Sequence, residues 1–178
     1  MAQRQSLKDL QDRLARRLTA AKTEAATASW LAVESMGHRY LLPLVQSGEI
    51  FSWAPVQAVP YTQTWYKGVA NLRGGLHGVI DLAALPGMPA GVKSVSVERV
   101  TSDSRLVSLH PALELNAVLW VDRLLGLRNP SMFSSMGERA QDAVSFMARV
   151  LVDAEGQAWQ ELDLQALASD RSFLDITA

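Results

Sequence analysis

Three histidines and a scatter of carboxylates are the side chains of this sequence best suited to acid–base or metal chemistry. His38, His77 and His110 lie far apart, so no two of them have the spacing of metal ligands on one helix. His77 and Asp81 would share one face of a strand but lie about 13 Å apart, too far for a hydrogen bond. The carboxylates show no paired spacing of the kind that acid–base catalysis uses. We therefore expect no catalytic residue, no metal site and no cofactor.

A glycine-rich stretch, Gly74-Gly75-Leu76-His77-Gly78, is the nearest approach to a phosphate-binding loop. Such a loop needs a helix amino terminus directly after it, whereas the apolar run that follows here is typical of a strand. A tight turn or bulge is the favoured interpretation. The hydrolase nucleophile elbow, the Walker loop and the dinucleotide glycine fingerprint are missing from the sequence. Because there is no cysteine, a thiolate nucleophile and a disulfide framework are excluded as well.

Composition indicates one globular unit. The chain has 178 residues, of which 48% are hydrophobic and 20% charged, and its formal net charge is −1. A nearly neutral molecule has no long-range field that would attract nucleic acid or anionic lipid. No apolar stretch approaches the roughly 18 residues of a membrane span, and the amino terminus lacks the apolar region of a secretory signal. We expect a soluble cytoplasmic protein without direct membrane insertion.

The amino-terminal segment, residues 1–28, predicts an amphipathic helix from Ser6 to about Ala28. Its leucines recur every three or four residues, with basic residues between them. The segment carries three more positive than negative charges. A narrow leucine stripe on a basic helix suits packing against the rest of the chain, and a partner helix or a mobile arm is the second interpretation. Membrane binding ranks last because the apolar face has no aromatic residue.

Beyond Trp30 the pattern predicts an all-β protein, a barrel or a sandwich. Glu34–Gly37 and Asp153–Gly156 are expected to be hairpin turns. Two short helices are also possible, at Tyr61–Lys67 and Ser134–Met147, although the second stretch could equally be a loop. The predicted strands are Trp30–Val33, Tyr40–Val45, Phe51–Val59, Gly78–Leu82, Val92–Val100, Leu106–Leu109, Ala117–Val121, Phe146–Val152 and Ala158–Leu162.

One short sequence occurs twice. Asp81-Leu82-Ala83-Ala84-Leu85 recurs in altered form as Asp163-Leu164-Gln165-Ala166-Leu167, each time at the end of a strand-rich half. The repetition favours two related halves. Both aspartates are expected to cap a short helical turn with their carboxylates.

A specific resemblance is carried by Gly68-Val69-Ala70-Asn71-Leu72-Arg73-Gly74, followed closely by Val79-Ile80-Asp81-Leu82. This spacing resembles the signature of the CheW family, the adaptor domains of bacterial chemosensory arrays. The stretches Tyr40–Leu44, Gly48–Ile50, Val118–Leu124 and Glu161–Leu164 are similar to other strands of that family. The resemblance covers about Trp30 to Leu167. The amino-terminal helix and the divergent glycine loop make the chain most similar to the CheW-like adaptors of type IV pilus twitching systems.

The resemblance implies two intertwined five-stranded β-barrels with a shared apolar core over residues 29–170, preceded by the helical extension and followed by a tail at 171–178. It implies no catalysis. Such a domain bridges the cytoplasmic hairpin tip of a methyl-accepting chemoreceptor and the regulatory domain of a CheA-type histidine kinase. The signal would pass by contact alone.

Five residues are expected to form or frame the receptor and kinase contact surface: Gly68, Asn71, Arg73, Gly74 and Glu49. The Arg73 guanidinium could bind a receptor carboxylate or carbonyl. It could instead form an internal ion pair with Glu49, or face solvent. Asn71 is expected to bond nearby backbone in a turn, and Gly68 to end the short helix in the left-handed region.

A rival function is a β-barrel that binds single-stranded nucleic acid through exposed aromatic residues. Trp53, Tyr61, Trp65 and Tyr66 are clustered before the glycine motif. Most of them should be buried in the core, and one or two exposed ones could instead anchor a protein interface. The net negative charge of the strand-rich part disfavours the nucleic-acid function.

Overall fold

The computed structural model describes residues 11–17, 19, 28–89 and 99–178. Eleven strands dominate the described part, so the expected all-β class is confirmed. They are β1 (Trp30–Ser35), β2 (His38–Pro43), β3 (Ser47–Ser52), β4 (Tyr66–Leu72), β5 (Gly75–Asp81), β6 (Arg105–Leu109), β7 (Ala117–Val121), β8 (Arg123–Arg128), β9 (Phe133–Met136), β10 (Met147–Asp153) and β11 (Ala158–Leu162). Two short helices, Leu164–Ser169 and Arg171–Leu174, follow the last strand.

The strands form two sheets that exchange chain segments. A six-stranded sheet has the order β8-β1-β2-β11-β10-β9, and a five-stranded sheet has the order β3-β6-β7-β5-β4. The chain begins in the first sheet, passes to the second for β3–β7 and then returns, so the two sheets are intertwined. They hold six and five strands rather than five each. Within each sheet one pair is parallel, β2 with β11 and β5 with β7.

The buried apolar residues form three clusters. The largest lies between the sheets and includes Val33 and Leu42 from one sheet with Ile80 and Leu119 from the other. Each sheet also covers a smaller cluster of its own on its opposite face. Alternate residues of a strand point to opposite faces, so the central strands are buried on both sides. This arrangement gives the shared core that the resemblance implied.

Neither of the two possible helices forms inside the strand-rich part, and the loop left open for the second stretch is found over much of it. Residues 64–65 form a turn and β4 begins at Tyr66, where a helix was expected over Tyr61–Lys67. The second segment, Ser134–Met147, contains most of β9, a loop and the first residue of β10. Its helical spacing of methionines does not produce one buried face, because Met147 is 8% exposed and Met136 is 46% exposed. Pairing with the neighbouring strands overrides this local pattern.

The expected amino-terminal helix is described only in part. Residues 11–17 and 19 are helical, and residues 11–17 are exposed, including Leu14 at 51%. The rest of the Ser6–Ala28 prediction lies outside the described residues, as does most of the predicted Val92–Val100 strand. Among the described helices, none is long and apolar enough to cross a membrane.

The predicted turns and caps are confirmed. Met36 and Gly37, with φ of 50° and 79°, form the β1–β2 hairpin turn, and Gly156 has φ of 78° in the turn between β10 and β11. The Asp81 carboxylate accepts a hydrogen bond from the Ala83 amide at 3.2 Å. In the second copy of the repeated sequence, Asp163 accepts from the amides of Gln165 and Ala166, both at 3.0 Å. The two aspartates thus end matching strands in the two halves.

The last residues of the chain pack against the body of the protein. Phe173 is 5% exposed and stacks on Trp65, with ring centroids 5.4 Å apart. The amide of Gln63 donates to the Ile176 carbonyl at 2.8 Å, and Thr62 forms a β-bridge with Thr177. These contacts hold residues 171–178 against the segment before β4.

Asp170 makes part of the stability of this carboxyl-terminal region dependent on pH. Hydrogen bonds from the hydroxyls of Ser145 and Ser172 lower the pKa of Asp170 in the folded protein. A carboxyl whose pKa is lowered by folding stabilises the fold when it is ionised, and this contribution disappears as the pH falls through the folded pKa.

We therefore expect the free energy of unfolding to fall as the pH decreases below about 3.9, the ordinary pKa of an aspartate. Asp170→Asn should flatten that part of the curve, measured by urea denaturation at a series of pH values. Asp142→Asn removes an exposed carboxylate that accepts no hydrogen bond within the described residues, and it should leave the curve unchanged. Equal flattening by both variants would contradict this assignment.

Candidate functional site

The hairpin between β4 and β5 presents the glycine-asparagine-arginine sequence at its tip. Leu72 pairs with Gly75, which leaves Arg73 and Gly74 as the two loop residues. Their φ angles are 49° and 84°, the positive values that a type I′ hairpin turn requires at both positions. The Asn71 side-chain oxygen accepts a hydrogen bond from the Gly74 amide at 3.0 Å. The prediction that Asn71 serves the turn is therefore confirmed.

The turn directs Arg73 toward the edge strand β3. Its guanidinium donates to the Glu49 carboxylate at 2.5 Å and lies 5.5 Å from the centroid of the Phe51 ring. The ion pair left open as one alternative therefore forms. Both partners remain largely exposed, with 73% of the Arg73 side chain and 59% of the Glu49 side chain accessible. An exposed pair of this kind leaves both groups available to a partner protein.

The ion pair lies on the wall of a groove of about 450 Å³ on the five-stranded sheet. Apolar side chains from β3, β4 and the loop after β6 form much of its surface, and its polar groups include those of Glu49, Arg73, His77 and Glu114. The Nδ1 atom of His77 lies 3.0 Å from the Gly75 carbonyl oxygen, so the hairpin itself orients this ring. An apolar groove with a few charged groups at its rim suits a protein segment.

Gly68 has a different role from the expected one. It does not end a helix, because it lies within β4 at a bulge between Tyr66 and Gly68 in the pairing with β5. Its φ of 130° fits the predicted need for glycine. A Cβ atom here would lie 2.0 Å from the carbonyl oxygen of Gln57. The glycine allows Gln57 to form a β-bridge with Val69, and this bridge holds the segment around Gln57 against β4 of the hairpin.

Replacing Arg73 should cost little stability. Because the Arg73–Glu49 pair is exposed, we expect Arg73→Ala to lower the free energy of unfolding by about 0–1 kcal/mol. Urea denaturation of both proteins measures this difference. A loss of several kcal/mol would mean that the arginine is needed mainly to hold β3 against the hairpin.

Arg99 is the residue that sequence reasoning missed. Its guanidinium donates to the Asp81 carboxylate at 2.5 Å, to the Asp122 carboxylate at 2.7 Å and to the Ser35 hydroxyl at 2.6 Å. It also lies 4.2 Å from the centroid of the Trp120 ring. Ser35 belongs to the six-stranded sheet, whereas Asp81 and Trp120 belong to the five-stranded sheet. One side chain therefore links the two halves.

The Arg99 cluster is largely buried. The side chains of Arg99, Asp81 and Asp122 are 17%, 7% and 24% exposed. Burial raises the pKa of the neighbouring Tyr40 hydroxyl to about 12, and the charge of Arg99 opposes that increase. Asp81 was expected only to cap a turn, and it does so while also binding Arg99. Asp81 ends β5 and Asp122 directly follows β7, but these positions do not indicate in the sequence that Arg99 binds both carboxylates.

The three histidines do not come together. His38 begins β2, His77 lies in β5, and His110 accepts a hydrogen bond from the Ala112 amide as the cap of a 3-10 turn. Across residues 11–17, 19, 28–89 and 99–178, no group of histidine and carboxylate side chains could hold a metal ion. Of the four clustered aromatic residues, Trp65 is buried and Tyr61 is 88% exposed.

Comparison with known proteins agrees with this architecture. The family described as CheW-like domain matches residues 29–172. The chain is similar to the protein PilI of Pseudomonas aeruginosa, with 30% identity over 171 residues that cover 93% of this chain and 91% of that protein. Among solved structures, it is similar to the scaffolding protein TtCheW from Thermoanaerobacter tengcongensis, with a TM-score of 0.58 and 18% identity. That match covers 77% of this chain and 89% of the other.

Proposed function

The chain belongs to the CheW-like domain family, and we propose that this chemosensory adaptor couples a methyl-accepting chemoreceptor to a CheA-type histidine kinase in a pathway that controls twitching motility. The likeness to PilI over nearly the whole chain supports the pilus pathway. The protein would act in the cytoplasm, at receptor arrays on the membrane. It would work by binding its partners and would catalyse no reaction.

The exposed Arg73–Glu49 pair at the edge of an apolar groove is the observation that carries this proposal. The receptor hairpin tip would lie in the groove, where the Arg73 guanidinium offers a planar set of donors to a carboxylate or carbonyl oxygen. Glu49 would hold that guanidinium in place before binding. Asn71, Gly74 and Gly68 would set the turn and the backbone path that present Arg73.

The coupling function can be tested by co-sedimentation of the purified chain with a receptor signalling hairpin and a kinase regulatory domain from the same organism. A ternary complex that requires this chain is expected. A titration with single-stranded oligonucleotide serves as the second arm and should show no binding. Oligonucleotide binding that weakens steeply with salt, without a ternary complex, would contradict the adaptor function and favour the nucleic-acid alternative.

Arg73→Ala should separate binding from stability. We expect the receptor hairpin to bind about 30-fold more weakly, which corresponds to an interface residue worth about 2 kcal/mol, while the melting temperature changes little. Isothermal titration calorimetry measures the affinity. Arg123→Ala is a matched control, since it removes another exposed arginine that pairs with a carboxylate, Glu34. If Arg73→Ala unfolds readily but its folded fraction still binds the receptor hairpin, the proposed contact is wrong.

A further inference from the structure

Two arginines of the six-stranded sheet stack against the same buried indole. The Cζ atoms of Arg39 on β2 and Arg128 at the end of β8 lie 5.2 Å and 5.0 Å from the centroid of the Trp159 ring. Trp159 is 2% exposed, and both arginines are half-buried. A guanidinium held over an indole keeps its plane fixed. The N–H groups at its edge remain available to other partners.

These two guanidinium groups have almost no hydrogen-bond partners. Within the described residues the Arg39 guanidinium makes no hydrogen bond or ion pair. The Arg128 guanidinium makes one hydrogen bond, to the Leu127 carbonyl at 3.1 Å. By contrast, Arg73, Arg99, Arg123 and Arg149 each reach a carboxylate. A half-buried cation without a hydrogen-bonded counter-ion is costly, because burial removes part of its hydration.

The carboxylate placed nearest to Arg39 by strand pairing is already engaged. Glu34 is opposite Arg39 in the β1–β2 ladder. Both of its carboxylate oxygens accept hydrogen bonds from Arg123, at 3.0 Å and 2.8 Å. Glu34 is therefore not available to neutralise Arg39.

Two further carboxylates of the six-stranded sheet, Asp153 and Glu161, are engaged in the same way. Asp153 accepts from the Trp159 Nε1 atom at 2.9 Å and from two backbone amides of its own turn. The Trp159 hydrogen bond is the main cause that lowers the pKa of Asp153, and the charge of Arg39 adds only a smaller effect. Glu161 accepts from the Trp30 Nε1 atom and from Arg149, both at 2.7 Å. Among residues 11–17, 19, 28–89 and 99–178, the two arginines are therefore without a hydrogen-bonded carboxylate.

Apolar side chains accompany the arginines. Met132 is 38% exposed. Phe133, which directly follows Met132, packs edge-on against Trp159 with centroids 6.3 Å apart. Arginine, methionine and aromatic residues are enriched at protein interfaces. This composition favours a polypeptide partner over a free ion.

We propose that Arg39 and Arg128, with Trp159 between them, form the centre of a docking surface for an acidic segment of a partner protein. Carboxylates of that segment would accept paired hydrogen bonds from the two guanidinium groups, and its apolar residues would cover Met132. The surface is on the six-stranded sheet, whereas the Arg73 groove is on the five-stranded sheet. The inference does not depend on which receptor or kinase the adaptor binds.

The test uses a fluorescently labelled synthetic peptide whose glutamates and leucines recur at helical spacing. Its binding to the full chain is titrated and followed by fluorescence anisotropy. Saturable binding is expected. Arg39→Gln and Arg128→Gln should each weaken it about tenfold, the effect of one charge-assisted hydrogen-bonded contact. Arg39→Lys should weaken it too, because a point charge does not replace the planar fork. Arg105→Gln removes an arginine of the five-stranded sheet that donates to the Ser102 and Ser104 carbonyls, and it should leave the affinity unchanged.

Unchanged affinity in Arg39→Gln and Arg128→Gln would overturn the proposal. Full binding by Arg39→Lys would also overturn it, since general charge attraction alone would then explain the binding.

A second arm of the test titrates inorganic phosphate at constant ionic strength. If phosphate binds with the same variant dependence and the peptide does not, the site accepts a small anion and the polypeptide partner is wrong. Circular dichroism checks that each variant is folded. If Arg39→Gln does not fold, the peptide affinity of Arg39→Lys is measured in its place. Failure to form the receptor–kinase complex would leave this peptide result unaffected.

Discussion

Arg99→Met is expected to destabilise the protein by about 3–5 kcal/mol, because it leaves buried carboxylates without their counter-ion. The Asp81 side chain is 7% exposed, and after the substitution its remaining cation among the described residues would be Lys67, 3.6 Å away. Asp122 would keep the backbone amide of Met36, at 2.6 Å, as a donor. Denaturation in urea, followed by tryptophan fluorescence and by circular dichroism, measures the loss.

The matched control for this prediction is Arg123→Met, which removes an equally long side chain from an ion pair. The side chains of Arg123 and Glu34 are 53% and 18% exposed, so this pair is less buried than that of Arg99 with Asp81 and should contribute less to stability. A loss in Arg99→Met no larger than that in Arg123→Met would contradict the view that Arg99 links the two sheets. Since Arg99 contacts both sheets, we further expect its loss to lower the stability of both halves together.

Gly68→Ala is expected to be strongly destabilising, with a loss of about 4 kcal/mol or more. The added methyl carbon would lie 2.0 Å from the Gln57 carbonyl oxygen and 2.8 Å from the Ala58 Cα atom. These are backbone atoms, so no side-chain rotation relieves the overlap. The φ of 130° adds conformational strain for any residue with a Cβ atom. Thermal and urea denaturation report the effect.

Gly74→Ala serves as the comparison, because Gly74 also has a positive φ, 84°, but apart from its chain neighbours no atom lies within 4 Å of the place that an added methyl carbon would take. It should cost only about 1–2 kcal/mol, the penalty of the left-handed conformation. The difference between the two variants then measures the close backbone approach at Gly68. If both variants lose the same stability, strain at φ alone explains the glycine requirement.

Local sequence was sufficient to predict the turn that carries Arg73, but it was not sufficient to predict the contacts of Arg99. The Asn71–Gly74 turn is set by residues within one hairpin, and the amide and glycine preferences of such turns are local. The spacing of these residues also carries the resemblance to the CheW family. Arg99 instead contacts Ser35 and Asp122, which are 64 and 23 residues away along the chain. No local pattern specifies which cation will lie between two distant carboxylates.

The helix predicted over Tyr61–Lys67 failed for the same reason, because contacts with distant segments decide the local structure. Tyr61–Lys67 has aromatic spacing compatible with a helix, but Trp65 is buried against Phe173 and Tyr66 pairs with Ile80. Strands β3, β4, β8 and β9 were missed or shortened because much of their surface is only partly buried. Without strict alternation of apolar and polar residues, a strand gives a weak sequence signal.

The sequence alone determined the all-β class, the hairpin turns, the two capping aspartates and the family, because these depend on short-range periodicity, turn chemistry and a closely spaced motif. Only the tertiary structure decided that Arg73 pairs with Glu49 on an exposed groove, that Arg99 joins the sheets, and that Arg39 and Arg128 meet on Trp159. Each of these arrangements joins residues of different strands, and their distances depend on strand order and register, which follow from packing of the whole chain.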